Sequence, residues 1–187
     1  MPTELERARR LFTRKEYHRM AEAGILKPRD RVELIRGEII EMSPIGPRHI
    51  AFVNNLTELL VLRLGRRAVV SVQNPVALDE YSEPQPDLAV LRRRADYKQT
   101  EPVTEDVLFL IEVADTSLSY DRRVKLRLYA EAGIPEYWVV DAAAEVIEVH
   151  RGPGPGGYAE TQRFAAGEAI TPAGFPDVAL TAGEIFA

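Results

Sequence analysis

The first third of the chain changes its hydrophobic period twice. The first 30 residues have helix-forming composition, with Thr13 and Glu16 spaced as a capping box. Residues 32–42 alternate in two short runs that meet at Gly37-Glu38, which predicts a strand pair. In residues 48–64 apolar side chains recur at helical spacing, so we predict an amphipathic helix that ends at Gly65. Its predicted buried stripe consists of Ile50, Val53, Leu56, Leu60 and Leu64.

The middle of the chain consists of short β-rich runs separated by turn formers. Such runs occur at residues 68–72, 76–78 and 87–91, and a longer one at 106–114 is almost entirely apolar. Consecutive apolar residues are typical of a central strand that is buried on both faces. We therefore predict a sheet with residues 106–114 near its centre.

The last third predicts one helix and two further strands. Residues 120–131 have helical composition, and residues 136–141 and 145–150 alternate as strands. The order strand, helix, strand implies a βαβ-like crossover in a mixed sheet. Residues 151–157 predict a turn-rich loop, followed by a short β segment, a loop and a terminal turn. We expect one domain over residues 1–187.

Composition excludes several kinds of site. The chain has no cysteine, which excludes disulfides, thiolate zinc sites and cysteine nucleophiles, and its three histidines argue against a histidine-rich metal cage. Any metal is therefore expected on oxygen ligands. No apolar run reaches about 18 residues and the N-terminus lacks a signal-peptide core, so we expect a cytoplasmic protein that does not enter a membrane.

Charge is unfavourable for non-specific wrapping of nucleic acid. The net charge is −5, whereas phosphate binding by counterion release needs clustered positive charge. Basic clusters at residues 63–67, 92–94 and 122–127 supply such charge locally, although any one of them is more simply a solvated face. The third cluster surrounds Lys125.

Three ionisable residues suggest a reaction class. Glu112 interrupts the apolar run 106–114, and a buried carboxylate is usually ion-paired, hydrogen-bonded or bound to a cation. Two roles remain open for Glu112: it forms an ion pair with an arginine, or it is a metal ligand. Asp87 follows Pro86, and taken by itself this Pro-Asp step is explained by turn chemistry. Together with Lys125, the two carboxylates provide what metal-dependent phosphodiester hydrolysis requires.

Six segments carry a resemblance to a known family. They are residues 32–38, 44–49, 86–90, 110–113, 121–125 with Tyr129, and 133–141. These segments resemble the Uma2 family of bacterial proteins, which belongs to the PD-(D/E)xK nuclease superfamily. The resemblance spans nearly the whole chain, and its most specific part is the sequence Glu-Tyr-Trp-Val-Val-Asp at residues 136–141.

The resemblance implies a fold and a site. The expected fold is α/β (α+β), a mixed sheet flanked by helices, with a restriction-endonuclease-like core, an N-terminal helix and strand pair, and a C-terminal β extension. Asp87 and Glu112, joined by the Val113 carbonyl, are expected to hold Mg²⁺ or Mn²⁺. The motif's usual lysine position is occupied by Ala114, and the family's substitute is a lysine on the following helix, here Lys125.

Five further residues are candidate supporting groups, namely Glu33, Glu38, His49, Gln85 and Asp121. Glu33 or Glu38 would add a carboxylate, unless both are solvated. His49 matches the family's histidine and would approach a substrate phosphate, or would be a helix N-cap or a surface histidine. Gln85 would orient substrate or finish a loop. Asp121 is expected to be a helix cap. The alternative to a site role for Lys125 is a surface lysine that pairs with Asp121.

We therefore predict a metal-dependent endonuclease that hydrolyses phosphodiester bonds in nucleic acid, with DNA favoured over RNA. A homodimer or higher homo-oligomer is expected. The alternative is a non-catalytic oligomeric or nucleic-acid-binding scaffold that retains the nuclease fold, because fold does not fix function. A small-ligand-binding β protein is a third interpretation, based on the β-rich second half.

Overall fold

The computed structural model describes residues 9–187. These residues fall into two compact units. Unit 1 contains the described part of residues 1–42 together with residues 78–84, and unit 2 contains residues 43–77 and 85–187. One domain over residues 1–187 stays a prediction.

Unit 1 begins with a short capped helix. Helix α1 (Arg14–Glu22) starts after Thr13, whose hydroxyl oxygen accepts the Glu16 backbone N–H at 3.3 Å. The Glu16 carboxylate accepts the Thr13 backbone N–H at 3.0 Å in return. The predicted capping box is therefore confirmed, but the helix is much shorter than the first 30 residues, of which residues 1–8 lie outside the described residues.

The predicted strand pair of unit 1 is also confirmed. Strands β1 (Val32–Ile35) and β2 (Glu38–Glu41) are antiparallel. Arg36 and Gly37 connect them with φ angles of 50° and 78°. Positive φ at both residues is required for a two-residue hairpin turn whose twist matches that of the strands. Leu34 of β1 is fully buried and forms an isolated bridge with Glu83.

A six-stranded mixed sheet forms the centre of unit 2. Its strands lie in chain order, and only β5 and β6 run parallel. The strands are β3 (Ala68–Val72), β4 (Leu88–Arg92), β5 (Val107–Ala114), β6 (Glu136–Asp141), β7 (Val146–Gly154) and β8 (Gly157–Phe164). The predicted mixed sheet with a buried strand at 106–114 is confirmed.

One face of this sheet carries the hydrophobic core. Helix α2 (Pro47–Leu64) packs its Phe52, Val53, Leu56, Leu60 and Leu64 against apolar side chains of the sheet, among them Ile111 and Trp138. The helix ends at Gly65, as predicted. Ile50 of the predicted stripe is 50% exposed, however, because Phe52 provides the buried contact in this turn. Each fully buried leucine contributes about 1.5–3 kcal/mol to folding.

The other face carries polar side chains beneath a helix that connects β5 to β6. This helix consists of α3 (Leu118–Tyr120), a π-helical turn (Asp121–Lys125) and α4 (Leu126–Glu131), and we call residues 118–131 the π-containing helix. It forms the predicted crossover, because β5 and β6 are parallel. The prediction of Asp121 as its cap is wrong, since the helix begins three residues earlier and Asp121 is buried within it.

Two other local predictions are wrong. Residues 76–78 form no strand, and Ala77 makes only an isolated bridge to Val103. Residues 151–157 are mostly strand, because the β7–β8 ladder continues to the pair Gly154 and Gly157 and leaves only two residues for the turn. The glycines and prolines there are typical of a loop, but the hairpin ladder accommodates them.

The C-terminal extension is confirmed and ends in a short helix. Strands β9 (Ala169–Ile170) and β10 (Leu180–Thr181) pair antiparallel, and α5 (Ala182–Phe186) follows directly. Phe186 of this helix meets Phe52 edge-on, with ring centroids 5.2 Å apart. Within residues 9–187, no helix has both the length and the apolar character needed to cross a membrane.

Candidate active site

Asp87 directly precedes β4 and is held by three donors from different parts of unit 2. Its Oδ1 lies 2.9 Å from His49 Nε2, on the first turn of α2, and accepts the Gln73 side-chain amide at 3.2 Å. Its Oδ2 accepts the backbone N–H of Val113 at 2.8 Å. The carboxylate is thus fixed in orientation by the helix and both neighbouring strands.

These donors keep Asp87 ionised. Burial by itself disfavours the charged form, but the interactions with His49, Val113 and Gln73 outweigh it. The net result is a pKa of Asp87 below its ordinary value of 3.8. At neutral pH this residue is therefore an anion, which is the form that binds a cation.

Glu112 lies on β5 next to Asp87 and is almost completely buried. Its Oε1 accepts hydrogen bonds from Lys125 Nζ at 2.9 Å and from the Tyr129 hydroxyl at 2.8 Å. Its Oε2 lies 3.4 Å from the Asp87 backbone nitrogen. Of the two roles left open for Glu112, the ion pair is made with Lys125 and not with an arginine, and the metal-ligand role stays a prediction.

The π-containing helix delivers Lys125 to Glu112. Lys125 is the last residue of the π-helical turn, and its side chain is 5% exposed. The turn is closed by the Leu126 backbone N–H, which donates to the Asp121 carbonyl five residues back. Lys125 is therefore not a surface lysine. It reaches Glu112 from the helix that follows β5, and its catalytic role stays a prediction.

The donor set fits a hard divalent cation. Asp87 and Glu112 are neighbouring acids, because the Asp87 backbone nitrogen lies 3.4 Å from Glu112 Oε2. Oxygen donors of this kind suit Mg²⁺ and Mn²⁺. Val113 contributes its N–H to Asp87, and the role of its carbonyl as a ligand stays a prediction.

His49 contacts Asp87 and has neither of the alternative roles. The N-cap of α2 is Gly46, so His49 is not the cap, and its side chain is only 12% exposed, so it is not a surface histidine. Its Nδ1 is buried without a hydrogen-bond partner among residues 9–187. Contact with a substrate phosphate stays a prediction for this residue.

Gln73 and Tyr129 are two site residues whose roles the sequence did not reveal. Gln73 follows edge strand β3 and bonds to Asp87 through both its backbone and its side chain, at 3.0 and 3.2 Å. Tyr129 follows Lys125 by four residues, so both point from one side of the helix to Glu112. That spacing was a usable signal for Tyr129, whereas Gln73 had none.

The other predicted supporting residues have varied surroundings. Gln85 donates its amide to the Gln73 carbonyl, so it contacts a neighbour of Asp87. Asp121 is buried and accepts the Ser117 hydroxyl at 2.5 Å. Glu33 and Glu38 lie on the hairpin of unit 1, where Glu33 is buried and Glu38 pairs with Arg9 at 2.6 Å. The supporting roles of these four residues stay predictions.

The basic cluster around Lys125 is largely neutralised by carboxylates. Arg122 donates to Glu148 at 2.9 Å and to Asp141 at 3.2 Å, both of which are buried on the polar face of the sheet. Arg127 pairs with Glu131 on the exposed side of the helix at 3.2 Å. Part of this cluster therefore attaches the helix to the sheet through ion pairs, and the cluster is not simply a solvated face.

The fold and the acid pair define a protein of the restriction-endonuclease-like class. A family model named Uma2, with the description "Putative restriction endonuclease", matches residues 14–183. The chain belongs to the Uma2 family.

Comparison with solved structures agrees on the fold. The chain is similar to a crystal structure described as a "putative nuclease belonging to DUF820" from Anabaena variabilis ATCC 29413. The TM-score is 0.70 at 18% sequence identity, and the match covers 88% of this chain and 95% of the other. Comparison with curated proteins gave no match.

Proposed function

We propose that this protein is a metal-dependent nuclease that hydrolyses phosphodiester bonds in nucleic acid, with DNA favoured over RNA. The observation that carries the proposal is the buried cluster of Asp87, Glu112 and Lys125, in which Lys125 Nζ lies 2.9 Å from Glu112. Membership in the Uma2 family, whose description is "Putative restriction endonuclease", supports it. A homodimer or higher homo-oligomer remains part of the proposal.

The residues have separate roles in this proposal. Asp87 and Glu112, with the Val113 carbonyl, would hold Mg²⁺ or Mn²⁺, which when bound polarises the scissile phosphate and activates a water. Lys125 places a fixed positive charge beside them, where negative charge develops on the phosphate. Tyr129 and His49 orient the two carboxylates through hydrogen-bond-distance contacts of 2.8 and 2.9 Å.

One observation favours the scaffold alternative. The Lys125–Glu112 pair is buried, and Glu112 also accepts the Tyr129 hydroxyl. Such a group is electrostatically satisfied without a metal, so it would also serve a purely structural role. Metal binding and cleavage distinguish the two functions, whereas the fold does not.

A nuclease screen with metal titration tests the proposal. The wild-type chain is incubated with single-stranded, duplex and structured DNA and RNA, with Mg²⁺ or Mn²⁺ and with EDTA. Glu112→Gln and Lys125→Met are run in parallel, and Glu131→Gln on the exposed side of the same helix serves as the matched control. We expect metal-dependent cleavage that both site variants lose and the control retains. A clean negative over the whole panel would favour the scaffold.

A further inference from the structure

Gln73 has an unusual backbone conformation for its position. Its φ is +50°, a left-handed value that costs free energy for a residue with a side chain. The other described non-glycine residues with positive φ are Arg36 and Glu145, and both lie in hairpin turns. Gln73 instead follows the last residue of β3, where no two-residue hairpin turn demands this conformation.

The contacts of Gln73 converge on Asp87. Its backbone N–H donates to the Asp87 carbonyl at 3.0 Å, and its side-chain Nε2 donates to Asp87 Oδ1 at 3.2 Å. Its own carbonyl accepts the Gln85 amide. Strained backbone that is held by several hydrogen bonds is typical of functional sites.

The chemistry of the amide determines what Gln73 does to the carboxylate. Nε2 must face Asp87, because the amide oxygen would bring two acceptors together. With His49 it holds Oδ1, while Val113 holds Oδ2, so rotation of the carboxylate plane is blocked at both oxygens. Unlike a histidine, the amide donates in the same way at every pH.

We propose that Gln73 is a positioning residue that fixes the Asp87 carboxylate for cation binding. This inference rests on the proposed function, since it assumes that Asp87 is a metal ligand. Groups that orient metal ligands typically change metal affinity by roughly 10- to 100-fold when they are removed. The backbone of Gln73 bonds to the Asp87 carbonyl and to the Gln85 amide, while its side chain donates to the Asp87 carboxylate.

The test measures Mn²⁺ binding to the full chain without nucleic acid, by electron paramagnetic resonance of the free ion. Gln73→Met keeps the length of the side chain and removes the donor. Gln73→Gly also removes the backbone strain, which keeps the test usable if the Met variant folds poorly. The matched control is Glu145→Gly, which relieves a φ of +53° in an exposed turn. Unfolding in urea, followed by the fluorescence of the single tryptophan, is recorded for every variant.

We expect Mn²⁺ to bind about 10-fold or more weakly to both Gln73 variants, and to bind Glu145→Gly like the wild type. A purely structural residue would change the urea midpoint and leave Mn²⁺ affinity unchanged. Asp87→Asn separates the two proposals. If it loses Mn²⁺ while both Gln73 variants bind normally, only the positioning role is overturned. If the wild type binds no Mn²⁺, or Asp87→Asn binds like the wild type, both are overturned.

Discussion

Removal of the Lys125 charge should destabilise the protein far more than removal of a surface charge on the same helix. Lys125→Met keeps an unbranched side chain in place and leaves Glu112 buried without its cation. The two side chains are 5% and 6% exposed, with a separation of 2.9 Å. At an effective dielectric constant of about 20, their direct attraction is about 6 kcal/mol.

The net loss is smaller than this attraction, because the variant no longer buries an ammonium. Breaking a buried pair from one side typically costs about 3–5 kcal/mol, and that is the loss of unfolding free energy we expect. Arg127→Met provides the matched control, because its pair with Glu131 has side chains 60% and 38% exposed. An exposed pair of this kind contributes only about 0.3–0.5 kcal/mol.

Urea unfolding provides the assay. Trp138 is the only tryptophan in the sequence and is fully buried in β6, so its fluorescence reports unfolding. A loss of this size is a large part of a total stability of about 5–15 kcal/mol, so the double variant Glu112→Gln/Lys125→Met is also measured. We expect the loss of unfolding free energy in the double variant to be about 2–3 kcal/mol smaller than the sum of the losses in the two single variants. If Lys125→Met costs no more than Arg127→Met, Glu112 does not need a counter-charge and our interpretation of the cluster is wrong.

Three further predictions concern neighbouring groups. Tyr129→Phe removes a donor to charged Glu112 and should lower the unfolding free energy by about 1.5–3 kcal/mol. His49→Leu should destabilise the chain at neutral pH, because it removes a contact that stabilises the ionised form of Asp87. The difference in unfolding free energy from the wild type should disappear as the pH falls through the lowered pKa of Asp87, below 3.8. A difference that is unchanged at low pH would contradict this origin. Burial lowers the pKa of His150 below 6.5, so wild-type stability should fall as pH decreases from 6.5, and His150→Asn should reduce that slope in urea titrations.

Much of the fold was predictable because its signals are local. The capping box at Thr13, the alternation around Gly37 and the helical period of residues 48–64 each determine nearby backbone. The apolar run around Glu112 also indicated a strand buried on both faces. The hairpin at residues 151–157 was missed because its glycines and prolines resemble a loop until the partner strand is known.

The site was predictable in its acids and less so in its support. Glu112 was conspicuous because a carboxylate in an apolar strand needs a partner, but the sequence could not decide which cation supplies it. The partner proved to be Lys125, which depends on how the π-helical turn lies over the sheet. The role of Gln73 could not be predicted, because it depends on a left-handed backbone angle and on a backbone hydrogen bond to Asp87.

The rate of metal-dependent nucleic-acid cleavage by Asp87→Asn, compared with the wild type, tests the central claim most directly. Asp87→Asn preserves the shape of the side chain and removes its negative charge. In the wild type, the lowered pKa of Asp87 keeps this residue an anion at neutral pH. Folding of the variant is verified beforehand by the fluorescence of Trp138. We predict that the wild type cleaves with Mg²⁺ or Mn²⁺ and stops in EDTA, and that the variant is slower by about 100-fold or more. Cleavage by folded Asp87→Asn at the wild-type rate would contradict the account.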